Sequence, residues 1–97
     1  MKPSEALELH REEIREVIGK YRVLNPRIFG SVLHGEDTEE SDLDILVDSI
    51  KGKTTLLDLA GIEVKLAKLL HIRVDVKTPK DLSEKFRDEV IKEAIAV

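Results

Sequence analysis

Asp42 and Asp44 stand two residues apart where an apolar segment begins, Leu43 to Ser49 (L-D-I-L-V-D-S). The segment predicts a β-strand, and a period of two puts both carboxylates on one face of it. Two carboxylates side by side on an apolar strand repel unless a cation neutralises them. A bare pair on so apolar a strand would be costly, so metal binding is the economical explanation. The chain has no cysteine and only three histidines, so oxygen ligands point to Mg²⁺ or Mn²⁺, not zinc. Taken alone, an Asp-x-Asp pair is common and usually just an exposed strand end.

The elements around that strand follow from periodicity and punctuation. Ser4 to Tyr21 predicts an amphipathic helix, with Leu7, Ile14, Val17, Ile18 and Tyr21 at helical spacing. Ser4 is the expected N-cap, and Glu5 suits the positive end of the helix dipole. Asn25-Pro26 breaks the pattern, and Arg27 to Val32 reads as the first strand. Leu43 to Ser49 is the second, and Ile50 to Lys53 a loop. Thr54 or Thr55 caps a helix to about His71, with Leu56, Leu59, Ile62, Leu66, Leu69 and Leu70 as expected core. Gly61 weakens that helix by about 1 kcal/mol relative to Ala. Ile72 to Lys77 alternates and is the third strand. Pro79 opens a short helical turn. A last helix runs from Ser83 or Glu84 to about Ala96, with Phe86, Val90, Ile91, Ala94 and Ile95 inward.

The order α-β-β-α-β-α predicts an α/β (α+β-like) fold, a small mixed sheet with helices packed on it. The second and third strands, joined through a helix, are expected to be parallel with a right-handed crossover. About ten residues join the first and second, which permits an antiparallel pair and leaves the second strand central. Ninety-seven residues predict one domain, 1–97.

Composition excludes several functions. Sixteen Lys and Arg against twenty Asp and Glu give a net charge of −4, which argues against a chain whose main task is coating nucleic acid. Aromatic residues are scarce, so stacking platforms for single strands are not expected. No apolar run approaches the roughly 20 residues of a membrane span. Met1 to Glu5 lacks the apolar stretch of a secretory signal, so the cytoplasm is the expected compartment. Seven acids and no Lys or Arg fall between Ile28 and Ile50, while the rest of the chain is slightly basic. Glu36 to Glu40 reads as a solvated acidic loop.

Two further features join the aspartate pair. Asp75 sits in Val74-Asp75-Val76 of the third strand. If that strand lies beside the second, three carboxylates share a face as a divalent-metal cage. The competing reading places Asp75 on the solvent side of an edge strand, paired with Arg73 or Lys77 at period two. Gly30-Ser31 follows the first strand and precedes Val32 to Gly35, a candidate helical turn. Glycine lets the backbone approach a phosphate, and Ser31 and the turn's N–H groups offer donors. Gly35 is suited to end the turn in the left-handed region. Ser41 can add a second phosphate contact. This layout suits a metal–nucleoside triphosphate. His10 and His71 lack metal-like spacing, and Lys51, Lys53, Lys65 and Lys68 read as solvated.

The stretch F-G-S-V-L-H-G-E-D-T-E-E-S-D-L-D-I-L-V, Phe29 to Val47, resembles the G-S-x10-D-x-D signature of the DNA polymerase β-type nucleotidyltransferase superfamily. The small size, the later V-D-V and the ending F-R-D-E-V-I-K-E-A-I-A-V resemble its minimal nucleotidyltransferases, often the antitoxin half of HEPN–MNT pairs. The resemblance covers essentially the whole chain. It implies that Gly30 and Ser31 bind nucleotide, and that Asp42, Asp44 and Asp75 are catalytic and hold two Mg²⁺ ions, Asp75 helping to deprotonate the acceptor. It implies a hetero-oligomer with a HEPN ribonuclease toxin, to whose tyrosine AMP is transferred from ATP. Stoichiometric binding without catalysis, and nucleotide transfer to a small molecule, are the competing functions. Many relatives carry Arg or Lys where this chain has His34. A neutral His offers a triphosphate less charge, and the competing reading of His34 is a surface residue without a role.

Overall fold

A computed structural model describes Met1–Val97. Its elements are α1 (Pro3–Gly19), β1 (Val23–Phe29), β2 (Leu43–Ser49), α2 (Leu56–Leu70), β3 (Val74–Lys77), a 3-10 turn at Pro79–Asp81, α3 (Arg87–Glu93) and β4 (Ile95–Ala96). They form a mixed four-stranded sheet in the order β3-β2-β1-β4. β2 is internal, as expected, antiparallel to β1 and parallel to β3. The long α2 crossover makes the parallel pair possible, since parallel neighbours cannot be joined by a tight turn.

Alternation along β2 sorts its residues onto two faces. Leu43, Ile45 and Val47 are fully buried in one core with Ile28, Val74 and Val76 of the neighbouring strands. α1 closes that core with Ala6, Leu7, Ile14 and Ile18, and α2 with Leu59, Ile62, Leu66 and Leu70. The opposite face carries Asp44, Leu46 and Asp48. Leu46 is also fully buried, and the Pro79–Asp81 turn packs against β2. Arg27 of β1, paired with Leu46 in register, reaches Asp48 Oδ1 at 2.7 Å. No helix is long and apolar enough to cross a membrane.

Several local expectations give way to longer-range bonds. α1 starts at Pro3, one residue before Ser4, with Lys2 as N-cap. Proline suits this first helical position because its missing N–H would go unpaired anyway. Lys2 N–H donates to Glu5 Oε1 and Ser4 N–H to Asp37 Oδ2, both at 2.8 Å. Asp37 is therefore not part of a solvated loop: it is buried and serves α1 from a distant segment. Burial alone would raise its pKa, but the hydrogen bonds from Ser4 and its own backbone, with the Lys2 charge, hold it below the usual carboxylate range.

β1 begins at Val23, not Arg27, and ends at Phe29, not Val32. It passes through Asn25-Pro26 as a bulge, with the register shifting between Leu24 and Arg27 and Asn25 at φ +52°. The bulge lets the strand keep pairing across a proline that donates nothing. β3 begins at Val74, two residues later than Ile72. Thr55 caps α2 and His71 ends it in the left-handed region. Leu56, an expected core residue, is 80% exposed. Gly61 has a packing reason: a Cβ there would lie 3.0 Å from the Tyr21 hydroxyl oxygen, and closer still to its ring.

The C-terminal segment departs furthest from its pattern. The helix spans only Arg87–Glu93 and buries none of its residues. Phe86, Ile91 and Ile95 are exposed, not inward. Ile95 and Ala96 instead form β4 against β1, pairing with Ile28 and Arg27. Val97 N–H donates to Pro26 O at 3.1 Å, and Arg15 Nε–H donates to Val97 O at 2.8 Å. The unpaired edge of β1 thus takes the final residues from the helix their spacing suggested.

Candidate active site

The parallel register sets Asp44 directly beside Asp75, with Leu43 beside Val74. Asp75 therefore lies on the Asp44 face of the sheet. Asp42, two residues before Asp44, stands just outside the strand. The antiparallel register places Phe29 opposite Asp44, so the turn that follows β1 begins against the same carboxylate. Gly30 sits at φ +77°, and a Cβ on it would collide with Asp44 Oδ2 and lie 3.1 Å from its Cγ. Both the left-handed conformation and the close approach require glycine.

Residues 30–35 wind into one helical turn: His34 N–H donates to Gly30 O at 3.2 Å and Glu36 N–H to Ser31 O at 2.9 Å. Gly35 closes it at φ +69°, as expected. The N–H groups of Ser31, Val32 and Leu33 find no backbone or side-chain acceptor, and neither does the Ser31 hydroxyl. Successive free N–H groups after a left-handed glycine form an anion-binding concavity. Ser41 is engaged otherwise, its Oγ accepting from Thr38 N–H at 2.8 Å. His34 Nε2 lies 3.3 Å from Glu93 Oε2, so this residue ties α3 to the turn.

The carboxylates are unequal. Burial, then the charges of Asp75 and Asp42, push the Asp44 pKa up to about 6, with Lys77 opposing. Asp42 Oδ1 has Arg73 Nε at 2.9 Å, yet that buried oxygen receives no hydrogen bond. The guanidinium supplies charge beside it without a directed N–H. Asp75 Oδ2 has Lys77 Nζ at 3.5 Å. The register puts Asp75 on the Asp44 face, and on this edge strand it stands beside Lys77. Arg73 pairs with Asp42 instead. No three of these side chains close into a ready-made cage. The donor set nonetheless fits a hard dication: oxygens only, one buried without a hydrogen bond, and one carboxyl raised by crowding with like charge.

A groove of about 400 Å³ runs beside the carboxylates, lined by Asp42, Asp75, Arg73 and by Glu63 and Val64 of α2. Glu63 was not legible as part of the site. It is an ordinary helix-surface residue by spacing, and only the crossover brings its Oε2 to accept from Val76 N–H at 2.8 Å.

Comparison with known proteins identifies similar chains. A family profile described as a nucleotidyltransferase domain matches residues 7–97. A Methanocaldococcus jannaschii protein, provisionally assigned as a protein adenylyltransferase, is 38% identical over 92% of this chain and 87% of its own length. The protein adenylyltransferase MntA of Thermococcus cleftensis is 35% identical over 94% of this chain and 88% of its own. A solved structure provisionally described as a minimal nucleotidyltransferase superposes with a TM-score of 0.82 at 38% identity, covering 97% of this chain and 95% of that one. A toxin–antitoxin crystal structure with AMP-PNP shares the fold, with a TM-score of 0.72 at 21% identity over 88% of this chain and 69% of that one.

Proposed function

This chain belongs to the nucleotidyltransferase domain family as one of its minimal members, and from that premise we propose that it transfers AMP from ATP to a tyrosine of a partner HEPN ribonuclease toxin. In this reading residues 1–97 are a single catalytic domain and the antitoxin half of a hetero-oligomer. The observation that carries it is the register of Asp44 against Asp75 beside the Gly30 turn, which sets an acidic face next to a phosphate cradle. The assignments of its relatives as protein adenylyltransferases support the same activity.

Each residue then has a task. Gly30 turns the backbone against Asp44, and the N–H groups of Ser31, Val32 and Leu33 with the Ser31 hydroxyl hold the triphosphate oxygens. Ser41 contributes only if it leaves Thr38. Asp42, Asp44 and Asp75 would hold two Mg²⁺ ions, which when bound neutralise phosphate charge and align the attacking and leaving oxygens. The tyrosine oxygen attacks the α-phosphorus, the bond to the β-phosphate oxygen breaks, and pyrophosphate leaves. Asp75 helps take the tyrosine proton, which passes on to solvent.

The test is incubation of the protein with α-labelled ATP, Mg²⁺ and the protein encoded by the neighbouring gene, expected to be the HEPN toxin. The expected result is label and AMP-sized mass on a toxin tyrosine, with loss of ribonuclease activity. Neutralisation of the toxin at equimolar ratio with its mass unchanged overturns the transfer reading. It would favour the stoichiometric binder, whose own support is that Arg73 and Lys77 already neutralise Asp42 and Asp75.

A further inference from the structure

We propose that the free edge of β3 is where the acceptor polypeptide docks: its tyrosine-bearing segment adds to Val74 as an extended strand, which turns the tyrosine toward Asp75 and Asp42. This rests on the transfer reading above and adds to it a docking site and the backbone form in which the acceptor binds.

β3 is an outer strand of the sheet. Leu43 pairs with Val74 in a parallel ladder, and Leu43 N–H donates to Arg73 O at 2.9 Å. Backbone groups alternate in direction along such a strand, so Arg73, Asp75 and Lys77 bond toward β2 while Val74 and Val76 face outward. The outward Val76 N–H is taken, donating to Glu63 Oε2 at 2.8 Å. Val74 is left with both its N–H and its carbonyl facing away from the sheet. An open edge of this kind is a template for a further strand. The groove of about 400 Å³ follows the same stretch, with Val74 and Asp75 on one wall and Val64 and Ala67 of α2 on the other, and it opens onto Asp42. Glu63 sets the position along the edge, because it leaves Val74 as the residue with both groups free. In a strand added there, the residue opposite Val74 points toward α2 and its neighbours point to the Asp75 face, because side chains alternate. Adjacent strands lie about 4.8 Å apart, so a tyrosine at a neighbouring position stands one strand spacing from Asp75. The residue beside it in the chain meets Val64, which is 64% exposed. The segment that fits is therefore extended, with an apolar residue next to its tyrosine.

Two measurements test this, with the protein encoded by the neighbouring gene as the acceptor. The first is amide hydrogen exchange followed by nuclear magnetic resonance on the wild type. Exchange of the Val74 N–H should slow by about tenfold or more when the acceptor is added. The second is transfer kinetics of Val64→Arg, which puts a long charged side chain into the groove from an exposed position. It should keep the wild-type melting temperature and bind a non-hydrolysable ATP analogue as the wild type does. Its KM for the acceptor should rise by about tenfold or more, with kcat at saturating acceptor preserved. Val64→Leu, which keeps the apolar wall, should keep the wild-type KM. A Val74 amide that the acceptor leaves unprotected overturns strand addition, and this readout needs no variant to fold. Val64→Arg with the wild-type acceptor KM overturns docking in the groove. Either result leaves the transfer reading intact. A wild type that modifies no tyrosine of the acceptor overturns the transfer reading, and the docking proposal with it.

Discussion

The two faces of β2 obey opposite rules. On one, Leu43, Ile45 and Val47 are fully shielded by α1 and α2, and every atom there favours folding. On the other, Asp44 is pushed up to about 6 by burial and by its neighbours Asp75 and Asp42. The same strand therefore holds the domain together through Leu43, Ile45 and Val47 on one side and stores repulsion around Asp44 on the other. The repulsion is what a cation would relieve, so the face that weakens the fold is the face suited to chemistry.

The sharpest separation of the two faces comes from Asp75→Asn. Its stability should change little, while transfer should fall by about 10²–10⁴-fold, the range for loss of general-base help. Intact mass of the partner and a melting curve read the two quantities together. A variant that still adds AMP at the wild-type rate removes Asp75 from the chemistry.

On the apolar face, Ile45→Ala should destabilise by about 3–4 kcal/mol, because it opens a cavity in a fully buried site. Urea unfolding measures it, and a loss under about 1 kcal/mol would mean that the core collapses around the missing atoms.

Asp44→Asn should act in the opposite direction. The folded pKa of Asp44 is raised, so its contribution to stability is complete below about pH 4 and is lost as pH rises through about 6. Removing the charge should therefore stabilise the metal-free protein above pH 6, by about 1–3 kcal/mol, with the gain vanishing near pH 4. Adding Mg²⁺ to the wild type should recover part of the same gain. Melting temperatures across pH 4–8 test this, and a pH-independent difference between the two proteins would refute it.

The smallest effect belongs to neither face. Leu56→Gln, at a position 80% exposed, should stay within about 0.5 kcal/mol. A larger loss in the isolated protein would show that the start of α2 is covered by something other than water.

These contrasts mark where local pattern is informative. β2 matched its expected limits, Leu43 to Ser49, because its neighbours enforce the alternation that its sequence displays. The crossover, a threonine cap at Thr54 or Thr55 and the left-handed Gly35 also follow from local signals, since spacing and backbone sterics act within a few residues. The C-terminal segment shows the limit of such signals. Phe86, Val90, Ile91, Ala94 and Ile95 recur at helical spacing, yet none is buried. Asp37 likewise reads as one more acid in a charged loop until the fold brings it to Ser4.

The sequence by itself determined that Asp42 and Asp44 share a face, that a glycine-led turn precedes them, and that β2 and β3 run parallel. Each depends on the pleat, on φ, or on the length of a connection, all properties of a short stretch of chain. Only the tertiary structure decided that Asp44 stands beside Asp75, and that Gly30 leaves no room for a Cβ against Asp44. It also decided that Arg73 pairs with Asp42, and that Ile95–Ala96 completes the sheet against β1. The reason is that these contacts join atoms distant along the chain. Their partners are set by which backbone edges and which charges remain unsatisfied once the core has closed, and no local spacing encodes that.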